Sequence, residues 1–276
     1  MLKIFDIKGP FERMNENKID CPAFRVSCWI HDNSKIEPVT NKLRPAVIIC
    51  PGGAYAMVSD REAEPVAKEY FVAGYNVFIL RYSVGKDARD FIPLMQLADT
   101  MAYIRENANE FKVFNEKIAV CGFSAGGHLA ASLGTLFDKK EFLNVYGRND
   151  VIRPDAMILC YPVITSDKYA HVDSIEKVSG ATKQSEEYCW FGLDQHVNEK
   201  TPPTFLWHTM EDQCVPVENS LRMAGALSTS KIPFELHIFP KGQHGMSVCT
   251  EEVGTPNKYN ARWMDWSIRW LNKQFI

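Results

Sequence analysis

The stretch Cys121-Gly-Phe-Ser-Ala-Gly-Gly-His-Leu-Ala-Ala-Ser-Leu-Gly134 places a serine between glycines, after an apolar segment and before an alanine-rich one. Its centre, Gly122-Phe-Ser124-Ala-Gly126, fits the pattern G-x-S-x-G. The flanking residues predict a strand over 117–122 and a helix over 125–136. A sharp turn between a strand and a helix presents its side chain at the end of the sheet, and glycines let the backbones pass closely. Ser124 is therefore either a candidate nucleophile or simply a small residue in a tight turn.

The rest of the chain alternates between apolar, strand-like segments and helical segments. This alternation predicts an α/β domain with a mostly parallel sheet that is covered by helices on both faces. No repeat or low-complexity linker interrupts the pattern, so residues 1–276 are expected to form a single domain. The other predicted strands are 24–30, 46–50, 77–80, 156–161, 204–208 and 234–239, and the other predicted helices are 62–73, 94–109, 217–228 and 258–273.

Two local signals bracket the helix predicted over 62–73. Ser59-Asp-Arg-Glu62 has the spacing of a capping box, which predicts that the Ser59 side chain caps this helix. Gly74 follows it where a glycine commonly ends a helix.

One longer polar stretch, 166–203, interrupts the regular alternation and contains Tyr188, Trp190 and Phe191. Long irregular segments in compact domains are often lids or binding loops, so this stretch is expected to be a lid-like, substrate-specificity insertion. A plain surface insertion is the alternative.

A serine hydroxyl needs a histidine base and a carboxylate that orients the base. Asp212 follows the strand predicted over 204–208, and His244 lies in a glycine-flanked loop after the strand predicted over 234–239. Because parallel sheets carry their sites at the carboxyl ends of strands, both side chains are expected near Ser124. The order Ser124, Asp212, His244 is the chain order of a nucleophile-elbow triad.

Other residues compete for these roles. Glu211 and Glu218 are the alternative carboxylates, although Glu218 fits the first turn of the following helix. His237 lies within a strand, where a structural role is expected. The sequence also predicts packing or hydrogen-bonding roles for His128 and His208.

Acyl transfer also requires donors for the oxyanion that develops on the substrate. The strand predicted over 46–50 ends in Pro51-Gly-Gly-Ala-Tyr55, where glycines allow backbone amides to turn toward a bound carbonyl. The candidate donors are therefore the amides of Gly53 and Ala54, together with that of Ala125 at the start of the helix after Ser124.

Composition narrows the class of protein. The net charge of −3 and the absence of a Lys/Arg-rich run argue against nucleic-acid binding. The eight cysteines include no C-x-x-C pair and are expected to be reduced thiols. No metal-binding spacing occurs among the histidines and cysteines, so neither a metal nor an organic cofactor is expected. The first twenty residues show no secretion signal and the apolar runs are short, which predicts a cytoplasmic protein without a membrane partner.

With these features in place, the sequence resembles the α/β-hydrolase superfamily, and within it the bacterial esterase/lipase group that includes hormone-sensitive-lipase-like, acetyl-xylan-esterase-like and "sugar hydrolase"-type carbohydrate esterases. The resemblance implies an α/β-hydrolase fold with an eight-stranded sheet and a triad of Ser124, Asp212 and His244. Pro51 replaces the histidine of the HGGG-type oxyanion loop, and Ala54 replaces its third glycine, which argues against bulky esters. The matching segments are Gly122–Gly126, PGGAY (51–55), REAEPVA (61–67), GYNVFILRYSVG (74–85), TPPTFLWHTMEDQCVPVENSL (201–221) and PKGQHGMS (240–247).

The expected function is that of a serine carboxylic-ester hydrolase acting through an acyl-enzyme on short-chain (acetyl) esters, with acetylated saccharides as the expected substrates. A serine peptidase of the same fold and a non-catalytic binding protein of that fold are the alternatives. A homodimer is a further expectation. Four residues are candidates for contacting the substrate, two of them as rings that could stack on a sugar or could equally pack on the scaffold: Tyr55, Tyr188, Trp190 and Met246.

Overall fold

The fold is known from a computed structural model that describes residues 2–11, 20–32, 42–146 and 150–275. Its centre is an eight-stranded sheet with the spatial order β1-β2-β4-β3-β5-β6-β7-β8. The strands are β1 (Leu2–Gly9), β2 (Phe24–His31), β3 (Arg44–Cys50), β4 (Asn76–Arg81), β5 (Val113–Phe123), β6 (Ala156–Cys160), β7 (Thr204–Thr209) and β8 (Phe234–Phe239). The helices are α1 (Glu64–Val72), α2 (Ile92–Glu106), α3 (Ala125–Leu136), α4 (Lys140–Tyr146), α5 (Val172–Ser179), α6 (Glu186–Trp190), α7 (Glu218–Thr229) and α8 (Arg262–Gln274).

The sheet is antiparallel at one edge and parallel elsewhere. β2 pairs in antiparallel fashion with both β1 and β4. All neighbouring pairs from β4 through β3, β5, β6 and β7 to β8 are parallel. The predicted α/β-hydrolase architecture with a mostly parallel, eight-stranded sheet is confirmed. Its carboxyl-end loops after β3, β5, β6, β7 and β8 therefore meet along one edge.

The central strands read as continuous apolar runs because both faces of the sheet are buried. In β3, Ile48 and Cys50 contribute to one core layer, while Val47 and Ile49 contribute to the other. The first layer includes residues of α2, α3 and α7, and the second includes residues of α1 and α8. The sheet therefore lies between two layers of helices.

The two local predictions for the helix over 62–73 have different outcomes. The glycine stop is confirmed, since Gly74 has φ +99° and its amide donates to the Phe71 carbonyl at 2.9 Å. The capping box is wrong, since Ser59 makes no side-chain cap. A short 3-10 turn, Asp60–Glu62, precedes α1, and the Glu62 carboxylate turns inward to accept the Gly52 amide.

β1 was missed by the sequence prediction. It lies at the edge of the sheet, and its apolar residues Leu2 and Ile4 are exposed. Its sequence therefore lacks the clear alternation of buried apolar and exposed polar residues that predicts a strand. Its pairing with β2 is a tertiary feature that periodicity does not report.

The stretch 166–203 forms α5, α6 and a 3-10 turn. It is anchored to the core, because Leu193 donates its amide to the Ile164 carbonyl at 2.9 Å and the Phe191 carbonyl accepts from His128 at 3.0 Å. Movement of this stretch as a lid stays a prediction.

No helix within the described ranges combines the length and the apolar character needed to cross a membrane.

Candidate active site

Ser124 lies in the turn between β5 and α3 and has a strained backbone, with φ +53° and ψ −119°. Positive φ is unfavourable for a residue with a side chain, so neighbouring contacts must hold it. The Ser124 amide donates to the Cys160 carbonyl at 3.0 Å, and its carbonyl accepts from His128 and Val163, each at 3.1 Å. This turn therefore projects the hydroxyl beyond the carboxyl end of the sheet.

The glycines around Ser124 are explained by backbone contact. A Cβ atom on Gly122 would lie 2.1 Å from the Gly126 carbonyl oxygen, and one on Gly126 would lie 2.0 Å from that of Cys50. Both distances are far below van der Waals contact, so a side chain at either position would displace the backbone of β3 or α3. The G-x-S-x-G pattern thus allows α3 to pack directly on the strands.

Three side chains from the ends of three strands form a continuous hydrogen-bonded chain. The Ser124 hydroxyl lies 2.8 Å from His244 Nε2, and His244 Nδ1 lies 2.6 Å from Asp212 Oδ2. Ser124 follows β5, Asp212 follows β7, and His244 follows β8. The structure brings together the three residues predicted from the sequence as nucleophile, acid and base.

Asp212 is held as an anion on both oxygens. Its Oδ1 accepts the amides of Cys214 and Val215, each at 2.9 Å. Burial alone would raise the pKa of Asp212, but hydrogen bonds from His208, His244 and the Val215 amide outweigh burial and hold that pKa well below its usual value.

The competing carboxylates occupy other positions. Glu211 is exposed, and its Oε2 accepts the Gly242 amide at 3.3 Å. Glu218 begins α7.

The predicted oxyanion donors come from the loop after β3 and from the first residue of α3. Gly53 and Ala54 have φ +126° and +55°, and both line the cavity that contains Ser124. Neither amide donates a hydrogen bond to another described residue. Ala125 is the first residue of α3, where the backbone N–H has no partner within the helix. An oxyanion hole formed by these three amides stays a prediction.

An open cavity of about 410 Å³ lies over Ser124 and His244. Four of its polar lining residues were not predicted from the sequence: Arg61, Glu62, His171 and Cys214. His171 comes from the 166–203 stretch, so this stretch contributes to the cavity wall. Burial and the neighbouring His244 lower the pKa of His171.

The four residues predicted to contact the substrate lie outside the lining of this cavity. Tyr55 is buried and its hydroxyl donates to His128 Nδ1 at 3.0 Å, while Tyr188 is buried in the core. Trp190 lines a separate cavity of about 310 Å³ together with Phe91. Met246 is buried, with Sδ 3.3 Å from Asn260. The Tyr188 ring thus packs within the scaffold, the alternative that the composition left open, whereas Trp190 lines a second cavity.

Known proteins show the same architecture and related sequences. The family model BD-FAE matches residues 35–227. Endo-1,4-beta-xylanase B of Butyrivibrio fibrisolvens is 38% identical over 219 residues, which make up 76% of this chain and 33% of that protein. The acetylxylan esterase of Xylanibacter ruminicola is 26% identical over 232 residues, covering 82% of this chain and 45% of that protein. This chain thus spans less than half the length of either relative.

A crystal structure of an acetyl ester-xyloside bifunctional hydrolase from Caldicellulosiruptor lactoaceticus is similar over nearly its whole length. It is 32% identical with a TM-score of 0.79, and the match covers 96% of this chain and 91% of that one. The family model covers most of this chain, which therefore belongs to the BD-FAE family of α/β hydrolases, with the fold and the relatives of a carboxylesterase-type hydrolase.

Proposed function

We propose that this protein hydrolyses short-chain carboxylic esters, in particular acetyl esters of saccharides, through Ser124, His244 and Asp212. The observation that carries the proposal is the hydrogen-bonded chain from the Ser124 hydroxyl through both His244 nitrogens to Asp212, at 2.8 and 2.6 Å. A serine hydroxyl becomes a useful nucleophile only when such a base can take its proton.

In the first half-reaction, Ser124 Oγ attacks the ester carbonyl carbon while His244 Nε2 takes the hydroxyl proton. Asp212 accepts from Nδ1, which keeps Nε2 free to act as the base and stabilises the imidazolium. The amides of Gly53, Ala54 and Ala125 bind the oxyanion of the tetrahedral intermediate. Each such donor supplies about 2.7–4 kcal/mol in the transition state. The imidazolium then protonates the leaving alcohol, which departs and leaves an acyl-Ser124 ester.

In the second half-reaction, His244 takes a proton from a water molecule that attacks the acyl carbon. The tetrahedral intermediate collapses, Ser124 Oγ regains its proton from the imidazolium, and the carboxylic acid leaves. The reaction balances with water as its only co-reactant.

Two features support a small acyl group. The first is the methyl group of Ala54, which lines the cavity beside Ser124. The names of two similar proteins, an acetylxylan esterase and an acetyl ester-xyloside hydrolase, support acetyl groups on saccharides.

Separate measurements test the reaction and the substrate. A fluorophosphonate probe should label the wild type and leave Ser124→Ala unlabelled, and a folded wild type that is not labelled would refute the serine mechanism. Rates on p-nitrophenyl acetate, butyrate and octanoate should fall with chain length, and acetylated xylo-oligosaccharides should release acetate. The p-nitroanilide of acetic acid provides the amide comparison, because faster cleavage of the anilide would favour the peptidase alternative. A labelled enzyme that releases no acetate from the oligosaccharides would refute the saccharide assignment alone.

A further inference from the structure

Glu62 is a buried carboxylate beside the cavity, only 3% exposed, and the proposed reaction gives it no role. Both of its oxygens have partners. Oε2 accepts the Gly52 amide at 2.9 Å, and Oε1 accepts the Tyr161 hydroxyl at 2.7 Å. A carboxylate that accepts from two fixed donors ties together the segments that carry them.

The hydrogen-bonded chain continues beyond Tyr161. The Tyr161 oxygen accepts the Ser247 amide at 2.9 Å, so the hydroxyl proton of Tyr161 is directed to Glu62. Burial and the Glu62 carboxylate raise the pKa of Tyr161 well above its usual value, which keeps this proton in place. Ser247 lies three residues after His244, and the Tyr161 ring packs edge-on against the His244 ring with centroids 5.0 Å apart.

These hydrogen bonds connect loops that follow three different strands. Gly52 lies in the loop after β3, next to the predicted oxyanion donor Gly53. Tyr161 directly follows β6, and Ser247 lies in the loop after β8 that carries His244. Tyr161 and Ser247 have φ +36° and +51°, conformations that a residue with a side chain adopts only when its surroundings impose them.

We infer that Glu62 is a positioning residue. It fixes the loop after β3, which carries Gly53, relative to the loop after β8, which carries His244. The inference rests on the proposed function, because it assigns Gly53 and His244 to one reaction. Loss of Glu62 would free the Gly52 amide at one end and the Tyr161 hydroxyl at the other. The loop that carries the oxyanion donors and the loop that carries the base could then shift relative to each other. Such a shift weakens binding of the transition state more than binding of the ester substrate.

The main test compares Glu62→Ala, Glu62→Gln and Tyr161→Phe with the wild type on p-nitrophenyl acetate. Glu62→Ala should lower kcat by about 10²-fold with little change in KM, the size of effect that a displacement of about 1 Å can produce. Glu62→Gln should lose less, because an amide keeps one acceptor oxygen. Glu69→Gln on the exposed side of α1 is the matched control and should behave as the wild type.

The double variant Glu62→Ala/Tyr161→Phe tests the connection itself. Its loss of kcat should be smaller than the product of the two single losses, since both changes interrupt the same chain. The inference would be overturned if the loss of kcat in the double variant equalled the product of the two single losses. A wild-type kcat in both Glu62→Gln and Tyr161→Phe would also overturn it. A rise in KM at unchanged kcat would also overturn it, by making Glu62 a substrate contact.

Hydrogen exchange gives a readout that does not depend on turnover. In Glu62→Gln, peptides covering 51–57 and 244–250 should both exchange faster than in the wild type and in Glu69→Gln. Unchanged exchange in either segment would refute the coupling, even if Glu62→Ala fails to fold. A wild type that neither turns over nor reacts with the fluorophosphonate would instead refute the proposed function and leave the exchange result as the test of Glu62.

Discussion

Asp212 has an imidazole on each side, and the two sides differ in what the second nitrogen contacts. On the cavity side, the His244 side chain is 20% exposed, and its second nitrogen meets the Ser124 hydroxyl. On the core side, His208 is fully buried, with Nε2 2.9 Å from the Val215 carbonyl and Nδ1 2.8 Å from the Ser220 hydroxyl. In the proposed reaction His244 transfers a proton, whereas His208 binds protein groups with both of its nitrogens.

His128 belongs to the buried kind. Its Nδ1 accepts from Tyr55, its Nε2 donates to the Phe191 carbonyl, and burial lowers its pKa to about 4. An imidazole with both nitrogens bound to fixed protein groups has none left for a substrate. A partly exposed side chain and a contact with the Ser124 hydroxyl, rather than nearness to Ser124 in the sequence, separate His244 from His128 and His208.

The largest difference between the two kinds of histidine should appear in turnover. His244→Ala should lower kcat by on the order of 10⁶, as loss of the base does in a serine protease. Steady-state kinetics on p-nitrophenyl acetate measure this, with His237→Ala on β8 as a control histidine outside the cavity. If His244→Ala turned over at the rate of the His237→Ala control, His244 would not differ from the buried histidines in catalysis.

A second difference should appear in the pH dependence of stability. Folded His128 stays neutral down to about pH 4, whereas in the unfolded chain it takes up a proton near its ordinary pKa of 6.5. Between these values the unfolded state binds more protons, so the free energy of unfolding should fall as pH drops from about 6.5 to 4. His128 alone should lower the free energy of unfolding by about 3 kcal/mol over this pH range, at roughly 1.4 kcal/mol for each pKa unit.

Urea unfolding of the wild type and His128→Gln at pH 7 and pH 4.5 isolates this contribution, because other titrating groups are common to both proteins. The variant should lose less stability on acidification. Equal losses in the two proteins would show that His128 does not contribute to the acid sensitivity.

The smallest effect is expected for His208→Gln. This change leaves buried partners of His208 unsatisfied, which costs about 1–3 kcal/mol of folding free energy. Because Asp212 still accepts from Cys214, Val215 and His244, kcat should stay close to its wild-type value. Thermal unfolding and steady-state kinetics on the same samples decide this, and a kcat as low as that of His244→Ala would make both sides of Asp212 equally catalytic.

The sequence supported predictions wherever a local pattern coincides with a strand end. Gly122, Ser124 and Gly126 lie within one five-residue motif, and Asp212 and His244 each follow an apolar run, so their placement follows from periodicity and order. The sheet itself was predictable for the same reason, apart from the exposed edge strand β1.

The residues that were missed depend on contacts between distant segments. Glu62 has a capping-box position by spacing, but it contacts Tyr161, which lies 99 residues further along the chain. His171 reaches the cavity only through the path of the 166–203 stretch. Tyr188 and Trp190 were predicted as substrate contacts because aromatic rings suit either a ligand or a core, and composition does not distinguish the two.

The close backbone packing at Gly122 and Gly126 has a consequence for how new specificities could arise in this protein. Neither position has room for a side chain, so substitutions of Gly122 or Gly126 should destabilise the fold. The wall formed by Ala54, Met57, His171 and Cys214 lies in loops and an α-helix cap outside that packing. Laboratory selection for other esters should therefore accumulate substitutions in this wall and keep the turn around Ser124 unchanged.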